Sequence, residues 1–392
     1  MKSTIKEQMT VRERVLAALK LQPVDRIPFV PLIDTYTLME MPVEVTGKPV
    51  TPAFNLQMNM TAARALGCDL MVRHVPAVAT RRDGALHLQS LGQFESPVET
   101  SSKFNNRQLT EILNTPVGSL TASWKFTDKV GGIPHPVKFA VNNREEMKIF
   151  HYAVDRLSSK PSESAFERFL KIDAEIGEQG IPTASITKSP FMFLIEIAWG
   201  LENTYFLLQG HREEVEDILE KLHNSLKLHV EVLAASPAQV IIQYEDTSST
   251  LLSPVVFDRY CLPFLNEYAD ILNSSGKIYL VHMCGKLRSF TSELHKGRFN
   301  GICDITPMPT GDFPLDEASA NLPGKVVVGG IDPTTFVSRD AECVEAEVAG
   351  LIQRIKPLKG VLLGSADTVP RGTPVSTFKL IRGLVDALGA YD

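Results

Sequence analysis

Two periodicities of apolar residues recur along most of the chain. Short, continuous apolar runs alternate with longer segments in which apolar side chains return every three or four positions. The runs are typical of buried strands and the longer segments of amphipathic helices. The clearest helix begins at Thr10, which has capping-box spacing to Glu13, and it ends before Pro23. Its apolar stripe consists of Val11, Val15, Leu16 and Leu19.

Eight apolar runs are predicted to be strands, and helical segments lie between most of them. The runs are residues 25–33, 69–72, 181–186, 239–244, 277–281, 301–305, 325–329 and 360–363. The helical segments are residues 54–66, 215–233, 254–272, 286–294, 342–355 and 374–388. Alternation of this kind predicts a parallel α/β sheet, and eight units predict a closed (β/α)8 TIM barrel preceded by the N-terminal helix. A doubly wound open sheet is the alternative, but no Gly-x-Gly-x-x-Gly turn follows any predicted strand.

A different pattern occupies residues 74–180. Predicted strands at 86–91, 108–113 and 119–126 are short and separated by Gly, Asn and Pro, which is typical of antiparallel hairpins. Two helices are predicted at 145–157 and 163–179. We interpret this stretch as a β-rich insertion between the second and third barrel strands that forms a lid or side wall. The whole chain, residues 1–392, is then one barrel domain.

Composition and charge argue against several classes of protein. Hydrophobic residues make up 44% of the chain and charged residues 22%, as in globular proteins rather than disordered ones. The net charge is −6 and no long basic run occurs, which argues against a nucleic-acid-binding protein. The longest apolar run, residues 191–200, is interrupted by Glu196 and is far too short to cross a membrane.

The cysteines and the N-terminus bear on location. The five cysteines are odd in number and scattered, which is typical of a reducing compartment rather than of a disulfide framework. Residues 1–9 are polar and predict no signal peptide. We therefore expect a cytoplasmic protein. A homodimer through an apolar outer helix face stays open, because no single face stands out.

Polar residues follow most of the predicted strands, where a barrel carries its active site. Functional side chains of (β/α)8 barrels come from the carboxyl ends of the strands and from the loops after them. The polar segments at those ends are Asp34-Thr35-Tyr36, Glu245-Asp246-Thr247-Ser248, His282-Met283-Cys284, Cys303-Asp304, Asp332-Pro333 and Ser365-Ala366-Asp367. We therefore expect the site among them, with Asp332 before Pro333 serving as a turn residue.

His282 and Cys284 are the sharpest chemical signal. Residues i and i+2 at a strand end point to the same side, so an imidazole and a thiolate converge on one point, as a zinc ion requires. A core cysteine beside a turn histidine is the alternative. Catalytic zinc sites usually have three protein ligands, and Cys303 on the next strand is the best third candidate, although small buried cysteines are common in cores. Oxygen alternatives are Glu245, Asp304 and Asp367.

Three acidic residues are candidates for catalysis. Glu245 and Asp246 follow the fourth predicted strand and are placed to bind a substrate hydroxyl or a metal, or to act as acid or base. The alternative is that Asp246 caps the next helix. Asp34 follows the first strand, where an aspartate is also a common turn residue.

The motifs along the chain resemble the uroporphyrinogen decarboxylase superfamily, and within it the corrinoid-linked methyltransferases. They are RERVLAAL (12–19), DRIP (25–28), LGCD (66–69), NTPVG (114–118), SP (189–190), HMCG (282–285), GGIDP (329–333) and PRGTP (370–374). The opening and closing motifs are typical of the superfamily, and His-x-Cys-Gly is typical of its methyltransferase branch. The resemblance covers nearly the whole chain and implies a (β/α)8 barrel.

The resemblance also implies a ligand set, from which this chain departs. Zinc would be held by His282 and Cys284, often by an acid on the next strand, and by a late cysteine after the last strand. That late position falls at about Ala366, so Cys303 would have to replace the missing ligand. True decarboxylases carry an Arg-Gln-Ala-Gly-Arg segment after the first strand, where residues 31–36 here read PLIDTY. A carboxylate-rich porphyrinogen would require such arginines, so decarboxylation is disfavoured.

The activity implied by the resemblance is methyl transfer with cobalamin, either free or carried by a corrinoid protein partner. The methyl group would move from methyl-cobalt to a thiol, or from a methoxy or methylamine donor to cobalt(I). Zinc, or an acid such as Glu245, would stabilise the departing oxygen. The missing late cysteine favours an O-demethylase that acts on a small methoxy compound. The alternatives are a uroporphyrinogen-type decarboxylase and a non-catalytic corrinoid- or metal-binding barrel.

Overall fold

The computed structural model describes residues 8–50, 55–77, 93–126, 134–158 and 163–391. Its strands are β1 Leu70–Val72, β2 Gln93–Phe94, β3 Glu99–Asn105, β4 Gln108–Thr115, β5 Gly118–Phe126, β6 Pro134–Lys138, β7 Leu157–Ser158, β8 Gly180–Ile186, β9 Val240–Tyr244, β10 Ile278–His282, β11 Gly301–Ile305, β12 Val326–Ile331 and β13 Val361–Ser365. The helices α1–α8 are Val11–Leu19, Thr35–Leu38, Val43–Thr46, Leu56–Ala65, Arg144–Val154, Glu163–Ile176, Pro190–Phe193 and Leu201–Gly210. The helices α9–α16 are Arg212–Ala235, Pro254–Tyr260, Leu262–Ser274, Thr291–Lys296, Leu315–Asn321, Pro333–Val337, Ala341–Ile355 and Val375–Leu388.

Seven parallel strands form a curled sheet in the order β1-β8-β9-β10-β11-β12-β13. Residues 26–33 run between its two edges and complete the barrel. On one side the Val30 amide donates to the Leu363 carbonyl at 2.8 Å, and on the other the Asp69 amide donates to the Phe29 carbonyl at 2.8 Å. The predicted α/β barrel fold, with its N-terminal helix, is confirmed.

The first barrel segment makes isolated bridges instead of a continuous ladder. Phe29 pairs with Leu363 and Leu32 with Thr368, and residues 30 and 31 between these two bridges do not belong to a regular strand. Pro28 and Pro31 have no amide hydrogen to donate, so a regular ladder cannot form across residues 28–31.

Strand side chains alternate between two apolar layers. The inward layer fills the barrel and consists of Val30, Ile181, Val240, Ile242, Ile278, Leu280, Cys303, Val326, Val328 and Leu362, together with α1 side chains at one end. The outward layer packs on the helices and includes Ile241, Tyr279, Val281, Ile302 and Val327. The barrel interior is therefore a packed core and not a pore. Each fully buried aliphatic side chain contributes about 1.5–3 kcal/mol to the free energy of folding.

Buried ion pairs tie α1 to the first two barrel segments. Arg26 donates both terminal nitrogens to the Asp69 carboxylate, at 2.8 and 2.7 Å, and the Phe29 amide donates to the same carboxylate at 2.8 Å. Arg14 of α1 donates to Asp25 at 2.6 Å. The RERVLAAL, DRIP and LGCD motifs therefore hold the chain together away from the barrel mouth.

An antiparallel sheet, β3-β4-β5-β6, and a small β2-β7 pair lie between β1 and β8. The β4 and β5 predictions are confirmed, whereas the predicted strand at 86–91 lies outside the described residues. β3 was not predicted, because nearly all its side chains are exposed and no apolar alternation marks it. Among the described residues, no helix is long and apolar enough to cross a membrane.

The helix predicted at 254–272 is two helices, which is a correction. α10 ends at Tyr260 and α11 begins at Leu262, with Cys261 between them. Pro263 in the first turn of α11 cannot donate the hydrogen bond that would continue α10.

Candidate metal site at the barrel mouth

Three non-glycine residues adopt left-handed backbone conformations at or just after the carboxyl ends of barrel strands. They are His74 (φ 59°), Asp246 (φ 51°) and Asp304 (φ 67°). Such conformations cost roughly 1–2 kcal/mol and persist where the surrounding structure requires them, often at functional sites. Two of the three, Asp246 and Asp304, contact the imidazole of His282.

Asp246, His282 and Cys284 form one group of potential metal ligands. Their ligand atoms all lie within 4.8 Å of one another. His282 Nε2 is 2.8 Å from Asp246 Oδ1, and Cys284 Sγ is 3.7 Å from the same oxygen. The predicted convergence of His282 and Cys284 is therefore present, and Asp246 occupies the third position.

Two charged residues, Asp304 and Arg73, orient the imidazole of His282. His282 Nδ1 contacts Asp304, and Asp304 in turn accepts two hydrogen bonds from Arg73, of which the Nη2–Oδ1 bond is 2.7 Å long. Burial disfavours ionised Asp304, but Arg73 and His282 outweigh it and hold the pKa of that carboxyl well below its usual range. An ionised Asp304 accepts a hydrogen bond from the Nδ1–H group, so Nε2, which faces Asp246 Oδ1, is the nitrogen that would bind a metal.

The carboxylate of Asp246 is oriented in the same way. Its Oδ2 contacts Lys188 Nζ, so Oδ1 is left facing His282 and Cys284. Lys188 also contacts Glu196 Oε2 at 2.6 Å. Glu196 lies on a π-helical turn, Leu194–Ala198, that follows α7.

The donor set fits a zinc ion in chemistry and charge. Nitrogen, thiolate and carboxylate are the ligands that zinc takes in proteins, and three protein ligands leave a position open, as in catalytic sites. With a metal bound, the Asp246 carboxylate and the Cys284 thiolate would balance two positive charges. Of the surrounding charged groups, Arg73 pairs with Asp304, and Lys188 contacts both Asp246 and Glu196.

Aromatic rings flank the group on one side. Tyr244 stacks on His74 with ring centroids 4.4 Å apart, and its ring lies 5.0 Å from that of His282. Burial raises the pKa of Tyr244 to about 12, so its hydroxyl stays protonated at neutral pH. His74 Nδ1 also lies 3.1 Å from the Ser185 hydroxyl.

The structure does not bring Cys303 into the ligand group. Cys303 pairs in register with His282 on the neighbouring strand, but its side chain packs among the apolar residues that fill the barrel. Burial raises the pKa of this thiol to about 12. Asp304, the next residue, is the one that contacts the imidazole.

Glu245 and Asp34 also lie apart from the ligand group. Glu245 is fully buried, and its carboxylate accepts from the Ser189 amide at 2.7 Å and the Ser189 hydroxyl at 2.5 Å. Burial raises the pKa of Glu245 to about 7 despite these bonds. Asp34 is the N-cap of α2, where its Oδ1 accepts from the Thr37 amide at 2.9 Å. Asp332 likewise caps α14, as expected.

Four residues of the site were not predicted from the sequence: Arg73, His74, Lys188 and Glu196. Arg73 and His74 directly follow β1, and Lys188 comes two residues after β8, so proximity to a strand end was the available signal. Glu196 had a different signal, since it interrupts an apolar run.

The fold and the ligand group define a (β/α)8-barrel protein with a candidate metal site at the mouth. The chain belongs to the uroporphyrinogen decarboxylase family, whose model matches residues 137–388. A uroporphyrinogen decarboxylase from Anaeromyxobacter dehalogenans (strain 2CP-C) is 24% identical over 172 residues, which cover 44% of this chain and 47% of that protein. The alignment thus spans about half the length of that relative.

A solved structure extends the similarity to the complete fold. A methyltransferase from Methanosarcina mazei superposes with a TM-score of 0.64 at 15% sequence identity, covering 97% of this chain and 99% of that one. At this identity the similarity establishes the fold.

Proposed function

We propose that the protein is a metal-dependent methyltransferase that moves a methyl group between a small methylated substrate and a corrinoid. The observation that carries the proposal is the convergence of Asp246, His282 and Cys284 at the barrel mouth. The Methanosarcina mazei neighbour of the same fold is itself a methyltransferase, which supports this class of chemistry.

The residues that follow the first barrel segment, 26–33, support methyl transfer over decarboxylation. Residues 34–36 supply an aspartate cap, a threonine and a tyrosine, where a porphyrinogen with many carboxylates would require arginines. Arg73 is engaged by Asp304, and Arg371 lies against Glu40 at 2.7 Å. These two guanidinium groups therefore already have carboxylate partners.

Zinc is the metal that we expect, and when bound it would supply Lewis acidity toward a departing oxygen or a thiol. The chain's own residues hold that position: Arg73 and Asp304 orient His282, and Lys188 orients Asp246. Because each of these contacts is charged and largely buried, the ligands are fixed before substrate arrives.

A methoxy compound is the substrate class that we favour. The ligand group contains one oxygen, one nitrogen and one sulfur donor, so it has less thiolate character than a site with two cysteines. Oxygen ligands leave a metal more electrophilic, which suits cleavage of an ether more than activation of a thiol. The corrinoid, free or carried by a partner protein, is the methyl acceptor and therefore a substrate of the reaction.

Absorbance spectroscopy with cob(I)alamin tests this proposal. The zinc-loaded protein is mixed anaerobically with cob(I)alamin and a panel of methoxyarenes, methanol and methylamines. We expect the cob(I)alamin spectrum to convert to that of methylcobalamin with a methoxy donor, and no conversion with Cys284→Ser. Absence of conversion with every donor, together with release of CO2 from uroporphyrinogen, would establish decarboxylation instead.

A further inference from the structure

Only one of the two carboxylate oxygens of Glu196 has a polar partner. Its Oε2 contacts Lys188 Nζ at 2.6 Å. Its Oε1 is buried and has no hydrogen-bond partner in the part of the chain that the structure describes. A buried carboxylate oxygen without a partner carries a desolvation cost unless it is protonated or meets a donor from a ligand.

Glu196 lies beside the candidate metal ligands without contacting them. Lys188 touches both Glu196 and Asp246, so the two carboxylates lie within reach of one ammonium group. The side chain of Glu196 is 22% exposed, although its Oε1 atom is itself buried. It is carried by the π-helical turn Leu194–Ala198, and π-turns occur frequently at functional sites.

Glu245, the acid favoured by the sequence, lacks these properties. Both of its oxygens accept hydrogen bonds from Ser189, and the side chain has no exposed surface. A donor molecule at the mouth would have to displace Ser189 to reach it. Glu196, in contrast, has one carboxylate oxygen without a hydrogen-bond partner among the described residues, and its side chain is partly exposed.

We propose that Glu196 is the general acid that protonates the departing oxygen of the methyl donor. The assignment rests on the proposed methyl transfer to a corrinoid. In the step, the electron pair of cobalt(I) forms the new bond to the methyl carbon while the carbon–oxygen bond breaks. The pair of the broken bond stays on oxygen, which takes the proton of Glu196 Oε1, so the products are methyl-cobalt, an alcohol or phenol, and a Glu196 carboxylate.

The charges around Glu196 suit both protonation states. Burial raises the pKa of Glu196, whereas Lys188 and the His282 imidazole lower it, and the net direction is upward. The charge of Glu196 in turn disfavours the ionised form of the buried Glu245. Lys188 then stabilises the carboxylate that remains after the proton has left.

The test compares two methyl donors that differ in their need for an acid, with cob(I)alamin as acceptor. Methoxybenzene releases a strongly basic phenolate, and 4-methoxybenzonitrile releases a stabilised one. In Glu196→Gln, demethylation of methoxybenzene should fall about 100-fold or more, as is typical for loss of a general acid, and that of 4-methoxybenzonitrile should fall much less. The loss of rate with rising pH in the wild type should also disappear.

The controls separate this assignment from the proposed function. Zinc content of Glu196→Gln should equal that of the wild type, and Glu202→Gln, on the exposed first turn of α8, should behave as wild type with both donors. An equal loss with both donors, or none with either, would overturn the acid role while leaving methyl transfer intact. Failure of the wild type to methylate cob(I)alamin from either donor would overturn the proposed function, and this assignment with it.

Discussion

At the scale of single residues, the site depends on which atom of each ligand is left free. Asp304 occupies Nδ1 of His282 and leaves Nε2 toward the group. Lys188 occupies Oδ2 of Asp246 and leaves Oδ1. Cys284 completes the group from the loop after β10. These two charged contacts leave Nε2 of His282 and Oδ1 of Asp246 facing the group, so they would affect the affinity for a metal.

Replacing Asp304 with asparagine tests that dependence. The variant loses the charge that orients His282 and leaves Arg73 buried without its carboxylate partner. We expect zinc to bind about 10- to 100-fold more weakly, measured by competition with a chromogenic chelator. Asp312→Asn is the matched control, because Asp312 accepts from the backbone of Leu287 and Arg288 away from the ligand group. Unchanged affinity in Asp304→Asn would show that His282 does not need this partner.

The sequence could indicate His282 and Cys284 because a spacing of two at the end of a predicted strand favours a common side, and the structure brings them together with Cys284 in the loop after β10. It could not distinguish Asp246 from Cys303 as the third member. Cys303 is in register with His282 but faces the packed barrel interior, and Asp246 reaches the group through a left-handed backbone conformation that has no sequence signature. Long-range partners such as Arg73 with Asp304 likewise depend on barrel closure, which residue spacing does not encode.

At the scale of elements, the regular strands and helices were predictable and the irregular ones were not. β8 to β13 and α9, α15 and α16 follow clear periodicities. β3 is exposed and polar, and the π-helical turn Leu194–Ala198 lies inside a continuous apolar run. These elements are held by their neighbours, so local sequence alone does not reveal them.

β4 contains a buried carboxyl group that should make the antiparallel sheet sensitive to pH. Glu111 is 1% exposed, and neither carboxylate oxygen has a hydrogen-bond partner among the described residues. Burial raises the pKa of Glu111 to about 9. The folded state therefore favours the protonated form, and this group's contribution to stability is largest below about pH 4.5 and is lost as pH rises toward about 9.

Glu111→Gln should remove this pH dependence. Relative to the wild type, the variant should gain up to about 1.4 kcal/mol for each pH unit between those limits, because glutamine need not be neutralised. Thermal unfolding at pH 6 and pH 8.5 measures the difference, with the exposed Glu99→Gln on β3 as control. A constant difference between Glu111→Gln and wild type at both pH values would contradict the assignment.

At the scale of the whole molecule, one buried carboxylate joins the elements that close the barrel. Asp69 precedes β1, binds Arg26 through two hydrogen bonds and accepts from the Phe29 amide. It thereby fixes the first barrel segment, whose ladder is interrupted by prolines. These contacts hold the barrel closed at a distance from the mouth, where the candidate metal ligands lie.

Asp69→Asn should therefore destabilise the whole protein. Removing one partner of a buried ion pair costs about 3–5 kcal/mol, whereas an exposed pair is worth at most about 1 kcal/mol. The exposed pair Arg298–Asp270 is also joined by two hydrogen bonds, so Asp270→Asn is the matched control. Urea unfolding midpoints should fall far more for Asp69→Asn. Equal midpoints in the two variants would mean that Asp69 does not secure the barrel.

Zinc content of the purified protein tests the central claim most directly. Elemental analysis should find about one zinc per chain in the wild type, a value typical of a single catalytic site. His282→Ala and Cys284→Ser should lose it, while His295→Ala and Cys343→Ser, which alter exposed residues of the same types, should retain it. Equal zinc content in the wild type and in all four variants would contradict a metal site built from His282 and Cys284.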